Sequence, residues 1–142
     1  IKKKPFVKTG ILTGKAQKMY EDGVQLVDVA ILNEFGGTND SGYTIPSRPF
    51  MRTSFDKNYK KYDGIIKRGI DRIMLGKERV KPFLDKLGIV SESETKKTLI
   101  KGPWVPNSPM TIALKKSSRP LINTGTLVRS IVSKTKMNGV SG

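Results

Sequence analysis

The sequence predicts an α+β fold in which a small antiparallel sheet packs against two or more helices. Three observations predict it: a long apolar stripe at helical spacing over about 53–75, a second helical pattern over about 80–101, and strand patterns near 6–13 and 130–137. A chain of 142 residues is long enough for one core and too short for two. We therefore expect a single domain, 1–142. The absence of an initiator methionine is compatible with residues missing at either end.

The first predicted strand is rich in β-branched residues, although Gly10 within it would weaken a central strand. A polar loop follows over 14–23, and then comes an apolar segment whose periodicity leaves its structure open. Leu26, Val29 and Ala30 fall at helical spacing, whereas Val27, Val29 and Ile31 fall at strand spacing.

The clearest element is the long helix over 53–75. Its apolar residues recur in steps of four and three and form one stripe, which comprises Phe55, Tyr59, Tyr62, Ile66, Ile70 and Ile73. Thr53 or Ser54 can cap its start, and Gly76 suits the position just past its end. We expect the stripe to face the core.

The second long helix, 80–101, tolerates Pro82 in its first turn and directs Phe83 and Leu87 inward. Residues 88–94 are poor helix formers, so the sequence leaves room for a break within this helix. Three prolines between Gly102 and Pro109 exclude regular structure. We expect Trp104 to pack on the core and anchor this loop rather than to bind a ligand.

Two shorter elements are predicted near the C-terminal end. Residues 123–129 fit a short helix capped by Asn123 or Thr124, and the next residues alternate as in a strand. Asn138-Gly139 then has the composition of a hairpin turn.

The chain contains neither cysteine nor histidine, which weighs against an enzyme. No thiolate nucleophile, imidazole base or zinc site of the usual Cys/His type can be built from it. Gly10 to Lys15 is similar to a phosphate-binding loop but has three residues between the glycines, where four are needed, and Ala16 in place of a hydroxyl. We therefore expect no catalytic residues, cofactor or metal.

The net charge of +15 implies an acidic partner, which can be nucleic acid, an anionic membrane or an acidic protein surface. The sign of the charge does not choose among them. No apolar run reaches the roughly 20 residues that cross a bilayer, and the basic N-terminus lacks the apolar stretch of a signal peptide. We expect no membrane association.

Three blocks of sequence stand out from this background: Asn33-Glu34-Phe35-Gly36, then Ile45-Pro46-Ser47-Arg48-Pro49-Phe50-Met51-Arg52, and much later the run PLINTGTLVRSI at 120–131. Their order resembles the phage virion-morphogenesis family of head-tail joining, neck and tail-completion proteins, in which NEFG, IPARPF and LIDTGxLxxSI follow one another. Ser47 and Asn123 are mild departures from that pattern. The resemblance favours a helix over about 25–35 that ends at Gly36.

The resemblance implies a structural virion protein that forms a ring, expected to be a hexamer, at the neck between capsid and tail or at the tail end. Its expected partners are itself and the neighbouring connector, tail-terminator or tail-tube proteins, with genomic DNA passing through the ring. Its expected location is the virion, and the host cytoplasm during assembly. The candidate interface or loop-anchoring residues are Glu34, Phe35, Arg48, Phe50, Arg52 and Trp104. The alternative is a basic nucleic-acid-binding protein, although no known nucleic-acid-binding motif accompanies the charge.

Overall fold

A computed structural model describes residues 4–12, 14, 25–38, 42, 44–105 and 125–137. The α+β class is confirmed, with a small two-stranded sheet packed on helices. The described elements, in chain order, are β1 (Phe6–Ile11), α1 (Leu26–Phe35), β2 (Gly37–Thr38), β3 (Thr44–Ile45), α2 (Phe50–Met74), α3 (Val80–Lys101), α4 (Thr126–Ser130) and β4 (Ile131–Lys136).

The two predicted strands at opposite ends of the sequence pair with each other. β1 and β4 are antiparallel, in a register that runs from Phe6 opposite Lys136 to Ile11 opposite Ile131 and sets Lys8 opposite Lys134. One face of this sheet lies on α3, where Thr9 and Ser91 are joined by a hydrogen bond between their hydroxyls.

α3 is continuous from Val80 to Lys101, which are the expected bounds, and no break occurs at 88–94. The small residues that make the segment a poor helix former are the ones that let the sheet approach. A Cβ at Gly88 would stand 2.9 Å from a methyl carbon of Val7 and about 3 Å from Ser133. Tertiary packing of this kind overrides a weak helix propensity.

α2 and α3 also meet through small residues. Gly69 lies directly under the ring of Phe83, since a Cβ there would come within 2.0 Å of a ring carbon. Further along the seam the hydroxyl of Ser54 bonds to that of Thr95, with 3.3 Å between the oxygens.

The core lies at the N-terminal end of α2 and draws on five elements. Its buried members are Leu26, Ala30, Phe50, Leu99, Leu127 and Ile131. Ile11, Met51, Trp104 and Val128 pack against them from the edge. The first and last thirds of the sequence therefore close around the start of the long helix.

The apolar stripe of α2 does not face this core as expected. Phe55 is 62% exposed, and Tyr59, Ile66 and Ile70 are exposed as well. The residues that α2 buries are Phe50, Ser54 and Gly69. The two sets lie about a third of a turn apart on the helix, so α2 rests on α3 beside its apolar stripe.

Some predicted boundaries also change. α2 begins at Phe50, earlier than the expected Thr53 or Ser54. Between α1 and α2, residues 37–38 pair with 44–45 as a short antiparallel ladder. The short helix predicted at 123–129 is observed at 126–130, while the proposed turn at 138–139 lies outside the described residues.

Candidate assembly surface

The first two sequence blocks fold against each other into a connection between α1 and α2, which we call the joint (residues 33–36 and 45–52). Its centre is Glu34, whose carboxylate accepts hydrogen bonds from the backbone N–H groups of Met51 and Arg52 at 3.0 and 3.1 Å. These are N–H groups of the first turn of α2, which the N-cap residue Pro49 does not satisfy with a side chain. Glu34 therefore caps α2 from another helix, and its negative charge suits the positive end of the helix dipole.

The backbone of the joint is equally fixed. The N–H of Arg48 donates to the carbonyl of Asn33, and the hydroxyl of Ser47 donates to the carbonyl of Glu34 at 2.9 Å. Gly36 has a φ of 71° and leaves no room for a side chain, since a Cβ would stand 2.9 Å from the carbonyl oxygen of Ile45. Only glycine fits this position without strain.

The joint is also tied to the loop that follows α3. Phe50 is fully buried, and the buried guanidinium of Arg48 donates through Nε to the carbonyl of Val105 at 3.1 Å. The indole N–H of Trp104 donates to the carbonyl of Leu99 at 3.0 Å while its ring packs against the core. These contacts give Glu34, Arg48, Phe50 and Trp104 anchoring positions inside the subunit.

The two remaining candidate residues are directed outward. Arg52 is largely exposed and lies 4.0 Å from the carboxylate of Glu34, a long and solvent-screened ion pair. Phe35 is 70% exposed, although it is the largest apolar residue of α1.

Phe35 belongs to an apolar surface on α1. The buried side of this helix is formed by Leu26 and Ala30. Its outer side carries what we call the ridge, four exposed residues at consecutive turns: Asp28, Ile31, Leu32 and Phe35. A helix with apolar residues on all sides is normally buried.

A second apolar surface lies where α2, α3 and β1 meet. It is an open depression of about 370 Å³, which we call the groove, lined by Val7, Thr9, Met51, Phe55, Tyr62, Ile66, Leu87, Ser91 and Thr95. The stripe of α2 forms one wall, β1 forms the other, and α3 forms the floor. Burial raises the pKa of Tyr62 above its ordinary value.

The carboxylates of the long helices are mostly engaged with lysines. Lys61 and Lys97 both pair with Glu94, Lys61 being the stronger influence, and they lower the pKa of that carboxyl. Within the described ranges Lys57, Lys60 and Arg68 have no ion-pair partner, and helical geometry sets them on the side of α2 away from its apolar stripe. α2 is thus apolar along one side and basic along the other.

No family model matches the chain, and neither does any curated protein or solved structure. Within the part of the chain that the structure describes, no three His, Cys, Asp or Glu side chains are grouped as they would be around a metal ion. None of the described helices is long and apolar enough to cross a membrane.

Sequence reasoning identified Phe35 but not its neighbours Ile31 and Leu32, nor the groove. The signal for the ridge was available, because residues 25–38 contain many large apolar residues and no lysine or arginine. The groove could not be predicted, because an apolar stripe on a long helix has the same sequence pattern whether it faces a core or a partner.

Proposed function

We propose that this chain is a non-catalytic structural protein of a tailed phage, which assembles into a ring at the head-tail neck or completes the tail end for joining to the capsid. The observation that carries the assembly role is the ridge. Ile31, Leu32 and Phe35 leave a contiguous apolar surface in water on one short helix, and exposed apolar surface of this kind marks an interaction site.

The order of the three sequence blocks supports the phage assignment, and their meeting in space adds to it. The joint unites the first two blocks, and the third supplies Leu127 and Ile131 to the core that surrounds Phe50. The blocks that carry the resemblance therefore specify one substructure. Its described residues hold the fold together, which suits a structural role.

The proposed partners are further copies of the chain, expected as a hexameric ring, together with connector, tail-terminator or tail-tube proteins. The basic side of α2 suits acidic surfaces of such neighbours, or DNA that passes through the ring. The protein would be located in the virion at the junction of neck and tail, and in the host cytoplasm during assembly.

The deciding experiment measures the molar mass of the purified chain by light scattering, alone and with phage tails that lack this protein. We expect a discrete oligomer, or incorporation into the tails with recovery of head joining. A chain that stays monomeric across the concentration range and neither binds nor rescues such tails would contradict the proposal.

The alternative is a nucleic-acid-binding protein, which the exposed basic row of Lys57, Lys60 and Arg68 favours. Such binding rests on phosphate contacts and weakens steeply as salt rises. Titration of random duplex DNA at several salt concentrations separates the two functions. Tight, salt-sensitive binding by a chain that neither oligomerises nor joins tails would favour the alternative.

A further inference from the structure

The acidic residues are segregated along the sequence. Residues 19–47 hold five of the twelve, Glu21, Asp22, Asp28, Glu34 and Asp40, and no lysine or arginine. The rest of the chain has seven acidic residues against 27 basic ones, a net charge of +20. The ridge thus belongs to an acidic, apolar segment of a strongly basic protein.

The shape of the ridge is that of a helix that binds in a groove. Ile31, Leu32 and Phe35 lie on one side of the helix at the spacing i, i+1, i+4, as the apolar residues of amphipathic helices that dock into clefts do, and Asp28 lies one turn before them. Leu26 and Ala30 hold the opposite side of α1 on the core, so the ridge is presented on a fixed support.

The groove complements the ridge in size and in charge. Its volume of about 370 Å³ lies within the range of pockets that bind their ligands by apolar contact. The groove belongs to the basic part of the chain, because all of its lining residues fall outside residues 19–47. A second copy of the chain can therefore supply both the apolar helix and an acidic segment, which the net charge of +20 on the rest of the chain attracts.

We infer that the ridge of one copy docks into the groove of the next, with Phe35 as the anchor. The inference rests on the proposed assembly into a ring and identifies the two surfaces that build it. Ridge and groove are different surfaces of one chain, so the contact is head-to-tail. Repetition of such a contact closes into a ring when the rotation between copies permits.

The test uses two variants that each disable one surface, Phe35→Asp on the ridge and Phe55→Asp in the groove. Both residues are exposed, at 70% and 62%, so the subunit should fold with an unchanged melting temperature. Each variant alone should be monomeric by light scattering, with a dissociation constant raised at least about thirtyfold, as for the loss of a central interface anchor. Ile89→Asp is the matched control, because this exposed residue lies on the side of α3 away from the groove, and it should oligomerise normally.

An equimolar mixture of the two variants gives the sharper result. One intact ridge and one intact groove remain between them, so we expect a 1:1 dimer and nothing larger. If the wild type forms oligomers and either single variant assembles just as fully, this contact is overturned while the proposed function stays in place. Homodimers of either variant, or a mixture that stays monomeric, would also overturn head-to-tail docking. A wild-type chain that is monomeric yet rescues tails would overturn self-docking alone.

Discussion

The joint and the apolar stripe of α2 each differ from what their compositions suggest about burial. The joint is polar and interrupted by prolines, as in a surface connector, yet it contains the fully buried Phe50 and the buried Arg48. The stripe of α2 has the most regular apolar pattern in the chain, yet Phe55 and Ile70 are exposed. Apolar periodicity therefore shows which side of a helix avoids water, and not whether the chain itself covers that side.

The largest expected effect comes from truncating the anchor of the joint. Phe50→Ala removes a fully buried aromatic ring and should lower the free energy of unfolding by about 3 to 5 kcal/mol. Phe55→Ala, the same change in the stripe, should cost less than about 1 kcal/mol because the ring is already in water. Chemical denaturation of both variants measures the difference, and equal losses would remove the distinction between joint and stripe.

Two glycines of α2 test how closely this helix packs against α3. Gly69→Ala forces a methyl group into the ring of Phe83, for which overpacking costs about 1 to 3 kcal/mol, partly offset by about 1 kcal/mol of helix propensity. At Gly64 the new methyl would find its nearest neighbour, the tip of Arg68, 3.5 Å away. Gly64→Ala should therefore raise the melting temperature, and a similar rise for Gly69→Ala would show that α2 and α3 are less closely packed.

Removal of the cap of α2 should have a smaller effect on stability. Glu34→Ala leaves the N–H groups of Met51 and Arg52 without their acceptor and should cost about 1 kcal/mol, as the loss of a helix cap does. Glu34→Gln keeps one acceptor oxygen and should fall between the parent and the alanine variant. Thermal unfolding followed by circular dichroism measures the series. An alanine variant as stable as the parent would mean that water satisfies these groups equally well.

The smallest expected effect is a loss of folding stability at low pH. Burial alone would raise the pKa of Glu92, but Lys96 and the N–H of Ser133 bond to the carboxylate and lower the pKa overall. A carboxyl whose pKa is depressed in the folded state contributes stability above its unfolded value, and the contribution is lost as pH falls through the folded pKa. Stability should thus decline below about pH 4.5, the ordinary value for glutamate, and Glu92→Gln should make the decline shallower. An identical slope in both proteins, measured by denaturation at several pH values, would exclude this contribution.

Much of the fold follows from local sequence signals. The strand at 6–11 was expected from its β-branched residues, the strand at 131–136 from its alternation, and the start of α3 from Pro82 in its first turn. The start of α2 could not be read locally, because its cap is Glu34, sixteen residues before the helix begins. The exposure of the stripe was equally hidden, since it depends on which side of α2 the small residues Ser54 and Gly69 offer to α3.

The register that sets Lys8 opposite Lys134 has a consequence for the unassembled subunit. Like charges directly opposite each other weaken a strand pair, and here the pair is the whole of the β1–β4 sheet. Counterions relieve this repulsion, because the Debye length shrinks from about 30 Å at 0.01 M ionic strength to about 10 Å at 0.1 M. The backbone amides of these strands should therefore exchange their hydrogens more slowly as ionic strength rises, and an acidic neighbour would protect them in the same way.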